Sequence, residues 1–295
     1  MTQRVQVVLP RHLGDAVLTL GAVESLLGLG PVWLSGGGFT RELFGHLDVH
    51  FGWTEAADLA VLFKPSFSAA WQARRAARRV GLATDGRWPL LDVAVVPGRG
   101  HRIEDFAAIV QAAGALTPRL PHLPTAVGPS LAGHQLLLPG SRSGVTVRWP
   151  GYRALADRLA GAGVRVLFAG GPDEEADVAA IAGPHPRLGS TALHDIASAA
   201  ARVDRVIGND AGLSHLAAAA RRGAGRSVSD VFVICGSTAP DRTAAPGASA
   251  LRAPRPPACW PCYRKSCPVG LPCMDFDPFA GVDPAQFSVP VVVTE

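Results

Sequence analysis

Lysine is nearly missing from this chain: of its 28 basic residues only Lys64 and Lys265 are lysine, a compositional bias rather than a functional signal. Aromatic residues reach only 6%, and no segment resembles a nucleic-acid reading motif, which argues against a nucleic-acid partner. No apolar run reaches the ~18 residues a membrane-spanning helix needs. Low-complexity tracts and internal repeats are also missing, and "MTQRVQVVLP" runs straight into a strand pattern without a leader signature. These absences predict a cytoplasmic protein. No Gly-x-Gly-x-x-Gly spacing occurs either, so a dinucleotide-binding reading is weak.

What is present points to a well-filled α/β protein. A chain of 295 residues, 48% of them hydrophobic, can bury a sizeable core and divide into two domains. The net charge of +4 is mildly basic. Arg74, Arg75, Arg78 and Arg79 of "WQARRAARR" recur one helical turn apart and predict a single cationic patch. A solvated helix face accounts for such a patch; contact with anionic lipid head groups or a phosphorylated acceptor is the functional alternative.

Strands are expected at 4–10, 31–36 and 58–63, with an extended stretch at 91–98. Helices are expected at 14–30, 39–47, 69–79 and 102–114. Apolar strands alternating with helices describe a parallel sheet covered on both faces. The segment 117–135 is rich in Pro and Gly, lacks periodicity and reads as a linker. The pattern then restarts: strand 135–140, helix 151–163, strand 164–171, an acidic helix start at "PDEE", helix 194–203 and strand 230–236. The expected organisation is an N-terminal domain over 1–120, a linker over 121–134, a C-terminal domain over 135–280 and a tail over 281–295. Two such halves predict an active site in the cleft between them, at the carboxyl ends of the strands.

Three loops of the second half, "PGSRSG" (139–144), "GGPDEE" (170–175) and "CGSTAPD" (235–241), follow strand ends and are rich in small residues. Such loops let backbone N–H groups approach phosphate, with a helix dipole assisting. Close-packed turns would look much the same. "VDRVIGNDAGLSHLAAAA" reads as a buried strand, a polar turn and an alanine-rich helix. Asp210 sits at the junction, where an aspartate caps a helix or holds a ligand.

Taken in order, these segments resemble glycosyltransferase family nine, the lipopolysaccharide heptosyltransferases. The resemblance covers nearly the whole chain. It is carried by "RHLGDAVLTLGAV", "ADLAVLFKPSFSAAWQARRAARRVGL", "HRIEDFAAIVQAAG", "LLLPGSRSGVTVRWPGYRALADRL", "VLFAGGPDEE", "IGNDAGLSHLAAA", "VICGSTAPDR" and the terminal "CWPCYRKSCPVGLPCM". It implies a GT-B fold: two Rossmann-like α/β domains facing across a cleft, with a nucleotide-sugar donor of the ADP-heptose type.

The resemblance also implies roles. Asp15 would be the general base that takes the acceptor hydroxyl's proton in an inverting transfer, beside its alternative as a helix cap. Arg11, His12 and Lys64 would bind the acceptor. Asp210 would hold donor sugar hydroxyls, with Ala211, Gly212 and Leu213 presenting amides to the diphosphate and His215 beside it. Thr238, Ser141, Arg142 and Thr191 would complete the donor site, and Asp173 or Glu174 would bind ribose. One departure stands out: where the family carries a lysine shortly before "W-P", this chain has Val147, and Arg148 is the substitute cation.

Cys259, Cys262, Cys267 and Cys273 are spaced C-x2-C-x4-C-x5-C, and a cytoplasmic location argues against disulfides. Four such thiols suggest a structural zinc or iron–sulfur site, whereas catalysis is expected to need no cofactor. The resulting expectation is an inverting glycosyltransferase that moves heptose from an ADP-sugar to a cell-envelope glycan or lipid. Its place would be the cytoplasm or, peripherally, the inner face of the membrane. A sugar-nucleotide epimerase of the same fold and a non-catalytic sugar-nucleotide-binding relative are the alternatives.

Overall fold

The computed structural model describes residues 2–126, 128–142 and 144–283, so the expected tail lies outside the described residues from 284 onward. The chain divides into two compact units between His122 and Leu123. The first runs β1 (Val5–Val8), α1 (Leu13–Leu18), α2 (Leu20–Leu27), β2 (Val32–Ser35), α3 (Thr40–Phe44), β3 (His50–Phe51), β4 (Leu59–Leu62), α4 (Phe67–Gln72), β5 (Arg78–Leu82), β6 (Val93–Val95) and α5 (Arg102–Ala113). Its sheet is parallel in the order β3-β2-β1-β4-β5-β6. β1 and β4, buried at every position, sit at its centre, which explains their apolar content; the one polar residue, Gln6 of β1, is satisfied by donating to the Trp33 and Gly52 carbonyls at 3.2 and 3.3 Å.

Two expectations change here. The helix predicted over 14–30 is broken at Thr19, whose hydroxyl donates to the Ala16 carbonyl at 2.7 Å and whose amide turns to the same oxygen. The helix predicted over 69–79 stops at Gln72, and its last two residues, Arg78 and Arg79, open β5, paired with β4 from Leu59↔Arg78 to Leu62↔Gly81. Sheet pairing overrides the local helical pattern. The four arginines therefore do not share a helix face. Arg79 is held by Asp92 at 2.8 and 3.1 Å, and Arg78 donates to the Ala112 carbonyl at 2.8 Å.

The second unit runs β7 (Leu131–Leu138), α6 (Tyr152–Gly161), β8 (Arg165–Phe168), α7 (Glu175–Ala182), α8 (Leu193–Arg202), β9 (Val203–Asn209), α9 (Gly212–Gly223), β10 (Val231–Ile234), α10 (Pro240–Thr243) and β11 (Ser249–Leu251). Its sheet is parallel in the order β11-β10-β9-β7-β8. β7 opens at Leu131, opposite Val203, so four residues assigned to the linker belong to the sheet. A core of Trp149, Tyr152, Leu155, Phe168, Ile207 and Met274 packs beneath α6 and the final loop. No helix among the described residues is long and apolar enough to cross a membrane.

Each unit encloses one fully buried arginine. Arg87 donates to the carbonyls of Leu82 at 2.9 Å, Lys64 at 2.6 Å and Leu62 at 3.4 Å, tying the ends of β4 and β5 together. Burial lowers its pKa to about 10, against the pull of Asp85. Arg221 binds the carbonyls of Ser227 and Val203 and the carboxylate of Asp230. A planar fork of five donors satisfies several carbonyls at once, and an ammonium does not. Arg87→Lys is therefore expected to lower the unfolding free energy by about 2 kcal/mol, read from urea titration. Close packing makes a second prediction. A Cβ at Gly21 would lie 2.1 Å from the Arg119 carbonyl oxygen, whereas one at Gly161 meets nothing. Gly21→Ala should cost about 1–3 kcal/mol, and Gly161→Ala should leave the Tm unchanged or higher.

Candidate functional site

In open parallel sheets ligands gather at the carboxyl ends of the strands, where the winding direction reverses. That reversal lies between β1 and β4 in the first unit and between β7 and β9 in the second. The sequence candidates cluster at these two points.

In the first unit Asp15 occupies the first turn of α1, directly after β1. The residue at the helix cap position is His12, and no side chain caps the helix there. The Asp15 carboxylate turns instead to Arg102, whose Nη1 lies 2.7 Å from Oδ1 and 2.8 Å from Oδ2. Arg102 opens α5, whose start is fixed twice: His101 Nδ1 accepts from the Ile103 amide at 3.1 Å, and Asp105 accepts from the Gly98 amide at 2.7 Å. Arg11 and His12 are exposed on the same loop. Lys64 follows β4 half-buried, its amide donating to the Val8 carbonyl at 3.1 Å. Sequence reasoning missed Arg102, although its place at the start of "RIEDF" after an extended stretch mirrors that of Asp15.

In the second unit the pivotal side chain is Asn209, fully buried at the end of β9. Its Oδ1 accepts from the Trp149 amide at 3.0 Å and the Tyr152 hydroxyl at 3.2 Å. Its Nδ2 donates to the Pro139 carbonyl at 2.7 Å. One amide thus ties the loop after β7, the start of α6 and the end of β9. Burial in the same place pushes the Tyr152 hydroxyl well above its ordinary pKa, keeping it a neutral donor.

Asp210 follows, and it does not cap α9. The cap position belongs to Ala211, with no side-chain cap bond, and the helix begins at Gly212 and Leu213. The Asp210 carboxylate is buried and accepts from the hydroxyls of Thr238 at 2.6 Å and Thr243 at 2.5 Å, both on Oδ2. The Nε2 of His215, one turn into α9, lies 4.0 Å from the other oxygen, Oδ1. The arrangement sets a polarised carboxylate beside a helix N-terminus. Thr243 lay outside the sequence reading, because nothing in "APDRT" marks it.

The remaining donor candidates occupy the loops around β7 and β8. Ser141 is buried, and its backbone carbonyl accepts from Arg148 Nε at 3.0 Å and Nη2 at 2.8 Å. Arg148 Nη1 reaches Asp177 at 2.8 Å, and Arg142 pairs with Asp173 at 2.7 Å. Val147 is part of the hydrophobic core. Glu174 is buried against Gly140, accepts from the Gly171 amide at 3.1 Å and has its pKa raised by burial. Thr191 is half-buried just before α8.

The four cysteines of the terminal cluster lie near enough to act on one another electrostatically. Cys259, Cys262, Cys267 and Cys273 are all free thiols, and among the described residues no three His, Cys, Asp or Glu side chains are arranged to hold a metal ion. Cys273 is buried in the core with Met274, while Cys259 faces solvent. Cys267 Sγ accepts from the Leu271 amide at 3.3 Å. The segment also braces its neighbours: Trp260 Nε1 donates to the Gly236 carbonyl at 2.9 Å, and the Cys262 and Tyr263 amides donate to the Ser237 carbonyl. Thr146 donates its hydroxyl to the Arg264 carbonyl.

Comparison with known proteins identifies the fold and the family. The chain shares its fold with E. coli ADP-heptose lps heptosyltransferase II at a TM-score of 0.70 and 20% identity, over 85% of this chain and 90% of that one. E. coli heptosyltransferase WaaC with ADP aligns at a TM-score of 0.68 and 18% identity, over 85% and 93%. The iron-containing dodecameric glycosyltransferase TibC from enterotoxigenic E. coli aligns at 0.57 and 15% identity, over 92% and 70%. No curated protein sequence matches. The model for "Glycosyltransferase family 9 (heptosyltransferase)" matches residues 54–271, spanning both units. With the expected α/β architecture in each unit, this chain belongs to glycosyltransferase family 9 and is a glycosyltransferase of the GT-B fold.

Proposed function

We propose that this enzyme transfers a heptose from an ADP-sugar, with inversion, to a cell-envelope glycan or lipid acceptor. The observation that carries the donor half is Asp210. A buried carboxylate is released from helix capping and oriented by two hydroxyls, beside the amides that open a twelve-residue helix. Sugar hydroxyls suit the carboxylate, and a diphosphate suits the helix start. The likeness to WaaC with ADP supports an adenine nucleotide as the donor's carrier.

In this reading Asp15 is the base. Arg102 fixes the orientation of its carboxylate, leaving the acceptor proton to be taken as the hydroxyl attacks the anomeric carbon. Helix N-termini and arginines stabilise the departing diphosphate without a metal. Arg11, His12 and Lys64, on the loops after β1 and β4, receive the acceptor.

Two measurements test the division of labour. Asp15→Asn should lower kcat by about a hundredfold or more, while the thermal shift produced by ADP-heptose stays at the wild-type value. An Asn variant with normal turnover would remove Asp15 as base. Asp210→Asn should instead weaken donor binding, and Thr243→Val should do so by about tenfold through loss of one hydrogen bond to the charged group. A panel of ADP-, UDP- and GDP-sugars read by thermal shift checks the donor. Stabilisation by none of them would sink the assignment.

A further inference from the structure

Part of the first unit's surface is not explained by its core. On α4 and just beyond it, Ala69, Ala70, Ala73 and Ala76 turn inward onto Val8, Ala60 and Leu62. The outward side presents Phe67 at 48%, Trp71 at 51% and, on the neighbouring turn, Trp88 at 65% exposure. Phe67 and Trp71 stack, with ring centroids 6.5 Å apart and planes 13° from parallel. The turn that leads to Trp88 is tied to α4, because Asp85 accepts from the Phe67 amide at 2.9 Å and Arg87 reaches the Ser66 carbonyl at 3.5 Å. The Arg74 guanidinium lies over the Trp71 ring at 4.9 Å, and Arg75 is exposed beside it.

Three large rings left in water within two adjacent turns mark a contact surface rather than scattered exposure. Its chemistry selects the partner. Indole and phenyl rings settle at the boundary between head groups and acyl chains, and arginines beside them meet lipid phosphate. Two exposed guanidiniums, Arg74 and Arg75, flank the rings against the single exposed carboxylate of Asp85, which accepts from the Phe67 amide, so the charge beside the rings is net positive.

We propose that Phe67, Trp71 and Trp88, flanked by Arg74 and Arg75, form a docking surface for an anionic lipid bilayer. α4 and the turn before Trp88 follow β4 and β5, at the same strand-end edge of the sheet where α1 carries Asp15. Docking there turns the acceptor-side loops toward lipid. The purpose of the surface rests on the reading of an envelope-linked acceptor; its test does not, because it needs neither donor nor turnover.

The full chain is sedimented with vesicles of phosphatidylcholine plus phosphatidylglycerol and with vesicles of phosphatidylcholine alone. Binding to the anionic vesicles is expected, with a blue-shifted tryptophan emission and a loss of affinity as salt rises. The variant Phe67→Ser/Trp71→Ser/Trp88→Ser should bind at least about tenfold more weakly and lose the blue shift. Arg74→Gln/Arg75→Gln should lose more than tenfold, from roughly fivefold per arginine near a charged membrane surface. Both variants should keep the wild-type Tm, because every altered side chain is exposed. The proposal is overturned if the wild type ignores anionic vesicles or if the variants bind them as the wild type does. It is equally overturned if the patch captures a soluble oligosaccharide or a single-stranded oligonucleotide instead of vesicles. A donor-induced thermal shift measured in parallel tests the transferase reading separately, so failure of one does not count against the other.

Discussion

The side-chain amide of Asn209 is where three segments of the second unit meet. Oδ1 receives the Trp149 amide and the Tyr152 hydroxyl, and Nδ2 holds the Pro139 carbonyl. All of these atoms are buried, so leaving any one unsatisfied costs about 1–3 kcal/mol. The bonds therefore act together, as a lock on the loop after β7 and the first turn of α6. Asp210 inherits its position from that lock: it is the next residue, and its own amide is held by the Ile234 carbonyl at 3.0 Å. With the backbone fixed on both sides, Thr238 and Thr243 need only set the rotation of the carboxylate.

The cysteine-bearing segment extends the same logic outward. It passes over the loops after β7 and β10 and bonds to both, through Trp260 to Gly236 and through Thr146 to Arg264. A Cβ at Gly236 would lie 2.5 Å from the Met274 Cε, and one at Gly144 would lie 2.5 Å from the Lys265 carbonyl oxygen. These approaches leave no room for side chains, so glycines mark where the brace presses on the loops. Trp149 Nε1 closes it at the far end by donating to the Phe276 carbonyl at 2.8 Å. The segment thus holds loop geometry by hydrogen bonds and packing, a role its C-x2-C spacing did not suggest.

The alternating α/β pattern was legible because parallel strands buried on both faces read as near-continuous apolar runs, as in Leu59–Leu62 and, but for Gln6, Val5–Val8. β3 and β11, of two and three residues, carry too little pattern to be read alone, whereas β6 falls inside the extended stretch expected at 91–98. β5 was hidden more deeply: "RRVGL" continues a helical spacing, and only its pairing with β4 and β6 makes it a strand. At the site the motif residues and Thr238 were legible, but two of their partners were not. Asp15 and Asp210 stand at strand-to-helix junctions, whereas Arg102 and Thr243 reach them from 87 and 33 positions away. A linear pattern records the residue at a strand-to-helix junction more readily than the distant one that steers it.

The scarcity of lysine acquires physical content at this point. Buried cations must satisfy several carbonyls at once, and Arg87 and Arg221 do so with a geometry that lysine lacks. The same substitution at the donor loops has a different consequence. Arg148 is not a free point charge: it is clasped by the Ser141 carbonyl on one side and Asp177 on the other, as Arg142 is by Asp173. For either guanidinium to meet a diphosphate, its carboxylate partner must yield or share it. Such exposed pairs hold by only about 1 kcal/mol, less than a dianionic group offers in a bidentate contact. Under the proposed donor reading, exchange of partners on donor binding is downhill, with Asp173 and Asp177 keeping the two arginines extended near the loop.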